Sequence, residues 1–314
     1  MGVWGIRLYS GDFAMDLRST ISAVARLPFD SEKLVDILCS TEPRVAKNPE
    51  DEDHTTFWLV LADQFAKRGI LSDRVREKAL TIIDSDSDIA MHAKLGMTTS
   101  DLEKRRKVLA DLRSRLATLP NGKPRTVLKK PQTYVMEVGD VLVYPTCYGK
   151  CINPYFASKE LNRVSGKSGP EPWQQNGWAA MVIVQRGRAF DFLTWYQPLT
   201  LSTAFDEKPT LSVLQAEVLL WKLPQPGTCS PIHFKRMELE KIASLAIDDQ
   251  KLKRAFPDMP PGVRYAINDI SIANRLNVAP HSPSDLTSKP GGSVHAKLGR
   301  PDPTISGIQQ ILSA

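Results

Sequence analysis

The chain has 314 residues, 42% hydrophobic and 24% charged, which is ordinary globular usage and excludes wholesale disorder and a fibrous protein. Its longest apolar run, 177–184, is far short of the roughly 18 residues of a spanning helix, so no membrane partner is expected. The net charge is +6 but unevenly placed: residues 1–120 hold 18 Lys+Arg against 19 Asp+Glu, while residues 121–314 carry a balance of +7. That is mild for a dedicated nucleic-acid binder and suits an acidic partner surface equally well; with no aromatic-and-basic recognition motif, a protein partner is favoured and nucleic acid is the weaker expectation.

The opening has no basic flank followed by an apolar stretch, so a cytoplasmic location is expected. Gly2 is followed by Ile6 where a myristoylation signal has Ser or Thr. Cys39, Cys147, Cys151 and Cys229 are too sparse for a disulfide scaffold, so reduced thiols are expected.

Residues 1–119 read as a helical domain. Apolar residues recur at helical spacing over 13–27, with Asp12 placed to cap or favour the helix start. Further helices are expected over 31–39, over 54–68 with Gly69 as its stop, over 74–83, and over 88–95 before Gly96. Ser100 and Glu103 have capping-box spacing ahead of a helix to Leu119, with Leu102, Leu109, Leu112 and Leu116 on one stripe. Residues 120–132, rich in Pro, Gly and Lys, read as a basic linker.

A mixed β-rich domain is then expected over 133–277, giving an α+β chain. Residues 138–144 form a turn feeding a strand that Pro145 should end. Residues 179–185 and 189–196 read as strands joined by a turn at Arg186-Gly187-Arg188. Residues 211–223 fit helix or strand, 237–247 reads as helix, and 252–256 as a short one. Residues 278–314 read as a mobile tail, with a helical turn or two over 305–312.

Residues 1–16 resemble the start of a bacterial domain family of unknown function. Its members open Met-Gly-x-Trp-Gly, then an aromatic, a small or polar pair, and Asp-x-Ala-x-Asp. Here Trp4, Gly5, Asp12, Ala14 and Asp16 match, and Ser10-Gly11 departs where many members have an acidic or Asn residue. A looser match runs through Ala62-Asp63-Gln64-Phe65-Ala66 and Gly69. The resemblance covers roughly the first 120 residues and implies a place among toxin–immunity and defence proteins. Val138-Gly139-Asp140-Val141 is similar to the first strand of small β domains in immunity-type proteins.

The binding candidates are Trp4, Asp12, Asp16, Lys129 and Lys130. Trp4 is expected to plug one end of the helical bundle. Asp12 and Asp16, four apart, share one helix side and suit either a helix start or acid–base and metal chemistry. Asp84, Asp86 and Asp88 mimic half a calcium loop, but Ile89 and Leu95 stand where Gly and Glu are needed, so an acidic helix cap is expected. Cys147-x-x-x-Cys151 and Cys229-x-x-x-His233 lack a CxxC hook, so neither zinc nor a Cys–His nucleophile is expected. Gly166-Lys167-Ser168 ends like a phosphate loop, yet Leu161 stands where its first glycine belongs, and a flexible basic loop is expected. No cofactor is expected, and the residues point to a binding protein rather than to catalysis. The rivals are a hydrolase or metal-dependent enzyme using Asp12 and Asp16 or the Cys/His set, and a weak nucleic-acid binder using Lys123, Arg125, Lys129, Lys130, Arg163 and Lys167.

Overall fold

The computed structural model describes residues 5–118, 124–155, 163–166, 169–279 and 302–313. The architecture is α+β, with helices concentrated before residue 118 and strands after residue 140. Two compact units divide it: Met1–Pro131 with Ile267–Asp269, and Gln132–Ala266 with Ile270–Ala314. Among the described residues no helix is long and apolar enough to cross a membrane.

The first unit is built from α1 (Asp12–Val24), α2 (Ser31–Thr41), α3 (Pro43–Lys47), α4 (His54–Lys67), α5 (Asp73–Asp84), α6 (Ser87–Lys94) and α7 (Thr99–Ala117). Helix α4 is its centre. Phe57, Leu59, Val60 and Leu61 are fully buried, so the helix is apolar on nearly every side, as a core helix should be. Gly69, at φ 62°, stops it. Helix α2 is capped by Asp30, whose carboxylate accepts from the Lys33 amide at 2.8 Å. The cap of α7 differs from expectation: Thr98, not Ser100, accepts from the Asp101 amide. Leu109, Leu112 and Leu116 turn inward from α7 as the stripe requires.

The expected basic linker is partly used by this unit. Arg125 donates to the carbonyls of Ala25 at 2.9 Å, Leu27 at 2.8 Å and Phe29, and the Leu128 amide donates to Arg26 at 2.8 Å. Those bonds satisfy carbonyls that the end of α1 leaves open.

The second unit is a sheet of β1 (Asp140–Cys147), β2 (Lys150–Cys151), β5 (Gly177–Ala189), β6 (Leu193–Leu201), β7 (Leu220–Lys222), β8 (Glu240–Ser244) and β9 (Thr304–Ser306). The order is β2-β1-β5-β6-β7-β9, with β8 also on β1. Strands β3 (Arg163–Gly166) and β4 (Gly169–Pro172) pair separately. Short helices α8 (Leu211–Leu214), α9 (Pro231–Arg236), α10 (Asp249–Ala255) and α11 (Val263–Ile267) punctuate the chain. Both sheet faces are covered. Val141, Val143, Val182, Leu199 and Trp221 face one core, while Leu142, Tyr144, Met181, Ile183 and Tyr196 face another. A sheet covered on both sides needs continuous apolar runs, which is why 177–184 reads as it does.

Four expectations are corrected here. Pro145 lies inside β1 and does not end it. Strand β8 pairs 140–143 and β2 pairs 146–147, so the missing N–H falls in the gap between them. The β5–β6 turn comes later than Arg186-Gly187-Arg188, at Phe190 and Asp191, both with positive φ. Gly187 sits inside the strand because Trp195 lies across it; a Cβ there would meet the indole at 2.7 Å. The helix expected over 237–247 is the strand β8, held to β1 by its register and by Lys241 on Asp140 at 2.5 Å. Of the tail expected over 278–314, residues 302–313 return to the sheet and form the expected helical turn at Ile308–Ile311, while residues 280–301 lie outside the described residues. Strand β9 pairs β7, and Ile305, Ile308, Ile311 and Leu312 are buried in the core with Trp221. The ambiguous 211–223 stretch resolves into both forms, α8 and then β7.

Candidate functional site

Three arrangements in the first unit use its charged residues. The deepest centres on Asp88, fully buried. The Arg105 fork donates to it through Nε at 2.6 Å and Nη2 at 3.0 Å, and the Thr55 hydroxyl donates at 3.0 Å. Arg105 Nη1 also donates to the carbonyls of Ile6 at 3.2 Å and Arg7 at 3.4 Å, tying the chain's opening to α7. The expected acidic cap is thus corrected: Asp84 pairs with Arg113, Asp86 with Arg106 and Asp88 with Arg105, a ladder onto α7. Asp86 itself precedes α6 with a left-handed backbone and no capping bond from its side chain.

His92 lies against the same carboxylate, Nδ1 3.6 Å from Asp88 Oδ1 and 2.9 Å from its carbonyl oxygen. Burial pushes its imidazole below the ordinary value, Asp88 pulls it up and Arg105 down. The neutral ring is therefore the folded form. A depressed folded pKa gives stability that is present above the unfolded value near 6.5 and lost as pH falls through the folded one. Unfolding free energy of the first unit is expected to decline from pH 7.5 to 5, and His92→Gln to flatten that slope. Equal slopes in the two proteins would refute it.

The second arrangement joins the opening segment to the end of α4. Tyr9 donates to Asp63 Oδ2 and accepts from Gln64 Nε2. Lys67 Nζ also reaches Asp63 Oδ2, at 2.6 Å, and Arg115 Nη1 reaches Oδ1 at 2.6 Å. Burial raises the Asp63 carboxyl, but the bonds from Lys67, Tyr9 and Arg115 outweigh it and leave it below the usual carboxylate range. Burial, with Asp63's charge beside it, holds the Tyr9 phenol well above its ordinary value.

The third is a half-open cleft walled by Arg7, Asp12, Glu52, Asp53, Thr56 and His92. Burial raises the Asp53 carboxyl, and the charges of Glu52 and Asp51 raise it further. Asp12 is on this wall at the first turn of α1, after the extended Gly11. Asp16 is exposed on α1 and is not among the lining residues, so the two acids do not meet in one site. Trp4, the remaining residue of the opening motif, lies outside the described residues, as do Lys123 and Lys167. Lys129 and Lys130 are exposed.

In the second unit all four ligand candidates are engaged elsewhere. Cys147 packs with Ile152 and Trp173. Cys151 and Cys229 are buried in the core with Tyr144 and Tyr196. Their thiols donate to the carbonyls of Ile152 at 3.5 Å and Ser230 at 3.6 Å. Burial pushes Cys229 up to about 12, and burial followed by the charge of Cys229 pushes Cys151 well above its ordinary value. Thiols held protonated are poor nucleophiles. Among the described residues no group of three or more His, Cys, Asp or Glu could hold a metal ion.

His233 has a different place. It lies on α9, which is capped by Ser230, and its ring meets Tyr155 edge-on at 5.0 Å. Arg236 donates to the Pro154 carbonyl at 3.0 Å and so anchors the loop that carries Tyr155. Tyr155 is 59% exposed and Ile232 53%, with Lys235 exposed beside them on α9.

Sequence reasoning missed Arg105 and this patch. Arg105 had a signal: it falls on the apolar stripe between Leu102 and Leu109, where a charge demands a buried partner. Tyr155 and His233 had none, because their meeting depends on a tertiary contact. Comparison of the chain with protein-family models, with curated proteins and with solved structures yields no match.

Proposed function

We propose that this chain is a bacterial cytoplasmic binding protein that covers an acidic protein surface with α9 and the Tyr155 loop. The patch on α9 carries the reading: two exposed apolar side chains, Tyr155 and Ile232, beside His233, Lys235 and Arg236. Aromatic and arginine-bearing patches are the usual anchors of protein interfaces, and the basic flank selects an acidic counterpart. The +7 balance of residues 121–314 gives the same sign. The opening motif's resemblance suggests an immunity or defence setting. The buried, protonated thiols also favour binding over chemistry at the cysteines.

The test is affinity capture from bacterial lysate, with and without nuclease, by the full chain, by Ile232→Asp and by Lys235→Glu. The expected result is an acidic protein held by the parent chain and lost by about tenfold or more in each variant, as for removal of an interface anchor. Its retention should fall moderately with salt. Capture that both variants keep, or that nuclease abolishes, would defeat the reading. The cleft bearing Asp12 and the raised acid Asp53 favours a second reading, a hydrolase. Hydrolysis of a peptide or nucleotide ester abolished by Asp12→Asn would establish that instead.

A further inference from the structure

Around Tyr9 the charges do not balance. Arg18 from α1 lies over the Tyr9 ring at 5.4 Å, and Lys67 from α4 at 5.2 Å. Arg68, at the end of α4, donates to the Gln64 side chain, which itself holds the Tyr9 hydroxyl. Arg115 from α7 completes the group through Asp63. Four cations from three helices therefore converge on one phenol and one carboxylate. Among the described residues, the ion pairs made by these cations go to Asp63 alone. That buried carboxylate offsets one charge and leaves three.

The electrostatics agree with the geometry. Burial lowers the Arg68 guanidinium, the neighbouring phenol and Asp63 raise it, and Arg18 presses it down, as like charges at close quarters do. The carboxylate beneath is fully engaged: Asp63 is 1% exposed, Tyr9, Gln64 and Lys67 donate to its Oδ2, and Arg115 donates to its Oδ1. The cationic tips of Arg18, Lys67 and Arg115 stay at the surface.

We propose that the Arg18, Lys67, Arg68 and Arg115 cluster around Tyr9 is an anion site for a phosphoryl dianion. A single carboxylate would leave two of the three charges unmatched. A phosphoryl group brings close to two charges and acceptor oxygens that guanidinium forks engage in pairs. The shared chemistry covers free phosphate and a small phosphate monoester. The site is independent of the α9 surface, so either can fail without the other.

The experiment is calorimetric titration of the full chain at low salt with inorganic phosphate, and separately with glycerol phosphate. Arg18→Gln is the informative variant, since Arg18 is exposed and the fold rests on none of its contacts described above. Saturable binding is expected, weakened about tenfold or more by Arg18→Gln and unchanged by Lys129→Gln with Lys130→Gln. It should also weaken from pH 8 to pH 5.5, as the dianion gains a proton near pH 6. Saturation by only one of the two ligands identifies the source. No saturable binding of either, or equal binding by the parent chain and Arg18→Gln, would overturn the proposal.

Discussion

Replacing Arg105 by methionine is expected to cost the first unit about 3–5 kcal/mol, the range for breaking a buried ion pair from one side. Arg105 is 2% exposed and Asp88 fully buried, so methionine leaves a carboxylate with no water to turn to. Among the described residues, the Thr55 hydroxyl then remains as its hydrogen-bond donor, with His92 3.6 Å away. The carbonyls of Ile6 and Arg7 lose their shared donor as well, so the opening segment should loosen with the helix. Amide exchange on α4 and α7 under mild urea reads the first unit separately. Asp88→Leu added to Arg105→Met should restore part of the loss, because an apolar pair carries no desolvation penalty. A single-variant loss below about 1 kcal/mol would show that the pair is solvated and the burial argument wrong.

Gly139→Ala is expected to cost the second unit about 2–5 kcal/mol, combining overpacking with backbone strain. Gly139 has φ +88°, and a Cβ there would sit 2.0 Å from the Leu245 carbonyl oxygen. That oxygen belongs to the backbone, so no rotamer change relieves the clash. Gly139 also exchanges ladder bonds on both sides, donating to Ile183 at 2.7 Å and accepting from Leu245 at 2.8 Å. Exchange at the β8 amides should rise first. Gly96→Ala is the control for strain alone, since Gly96 has φ +90° and open space around it. That variant should lose about 1 kcal/mol. Equal losses at the two positions would mean the Leu245 contact yields.

Most helices of the first unit were legible because each carries its own signal; the five-residue α3 (Pro43–Lys47), too short to show a period, was not expected. Local periodicity places α4 and α7, and Gly69 ends the former as expected. The α+β division was legible from the change of period after Pro120. The misplaced elements are those decided by partners far along the chain. Residues 240–244 become a strand because Asp140 and the free side of β1 receive them. Pro145 survives in a strand because two short partners leave a gap opposite it. Of the candidate site, Asp12 falls on a cleft wall, while Asp16 does not join it. The charge cluster around Asp63 was not legible, because Arg18, Lys67 and Arg115 are each exposed and lie far apart in the sequence. Only packing of α1, α4 and α7 brings them together.

The return of residues 304–312 to the sheet sets the order in which this protein matures during synthesis. Strand β7 has β6 on one side from the start, but its other neighbour is β9. The Asp248 amide, at the head of α10, waits for the carbonyl of Ile311, and Lys251 for that of Leu312, at 2.9 and 2.7 Å. A nascent chain emptying from the ribosome residue by residue offers helices α1 to α7 all their mutual contacts early. The β unit, in contrast, must hold Trp221 and Leu223 uncovered until residue 312 emerges. Long-range closure of this kind is slow and leaves an apolar edge open meanwhile. Over that interval the β unit is expected to be most prone to aggregate.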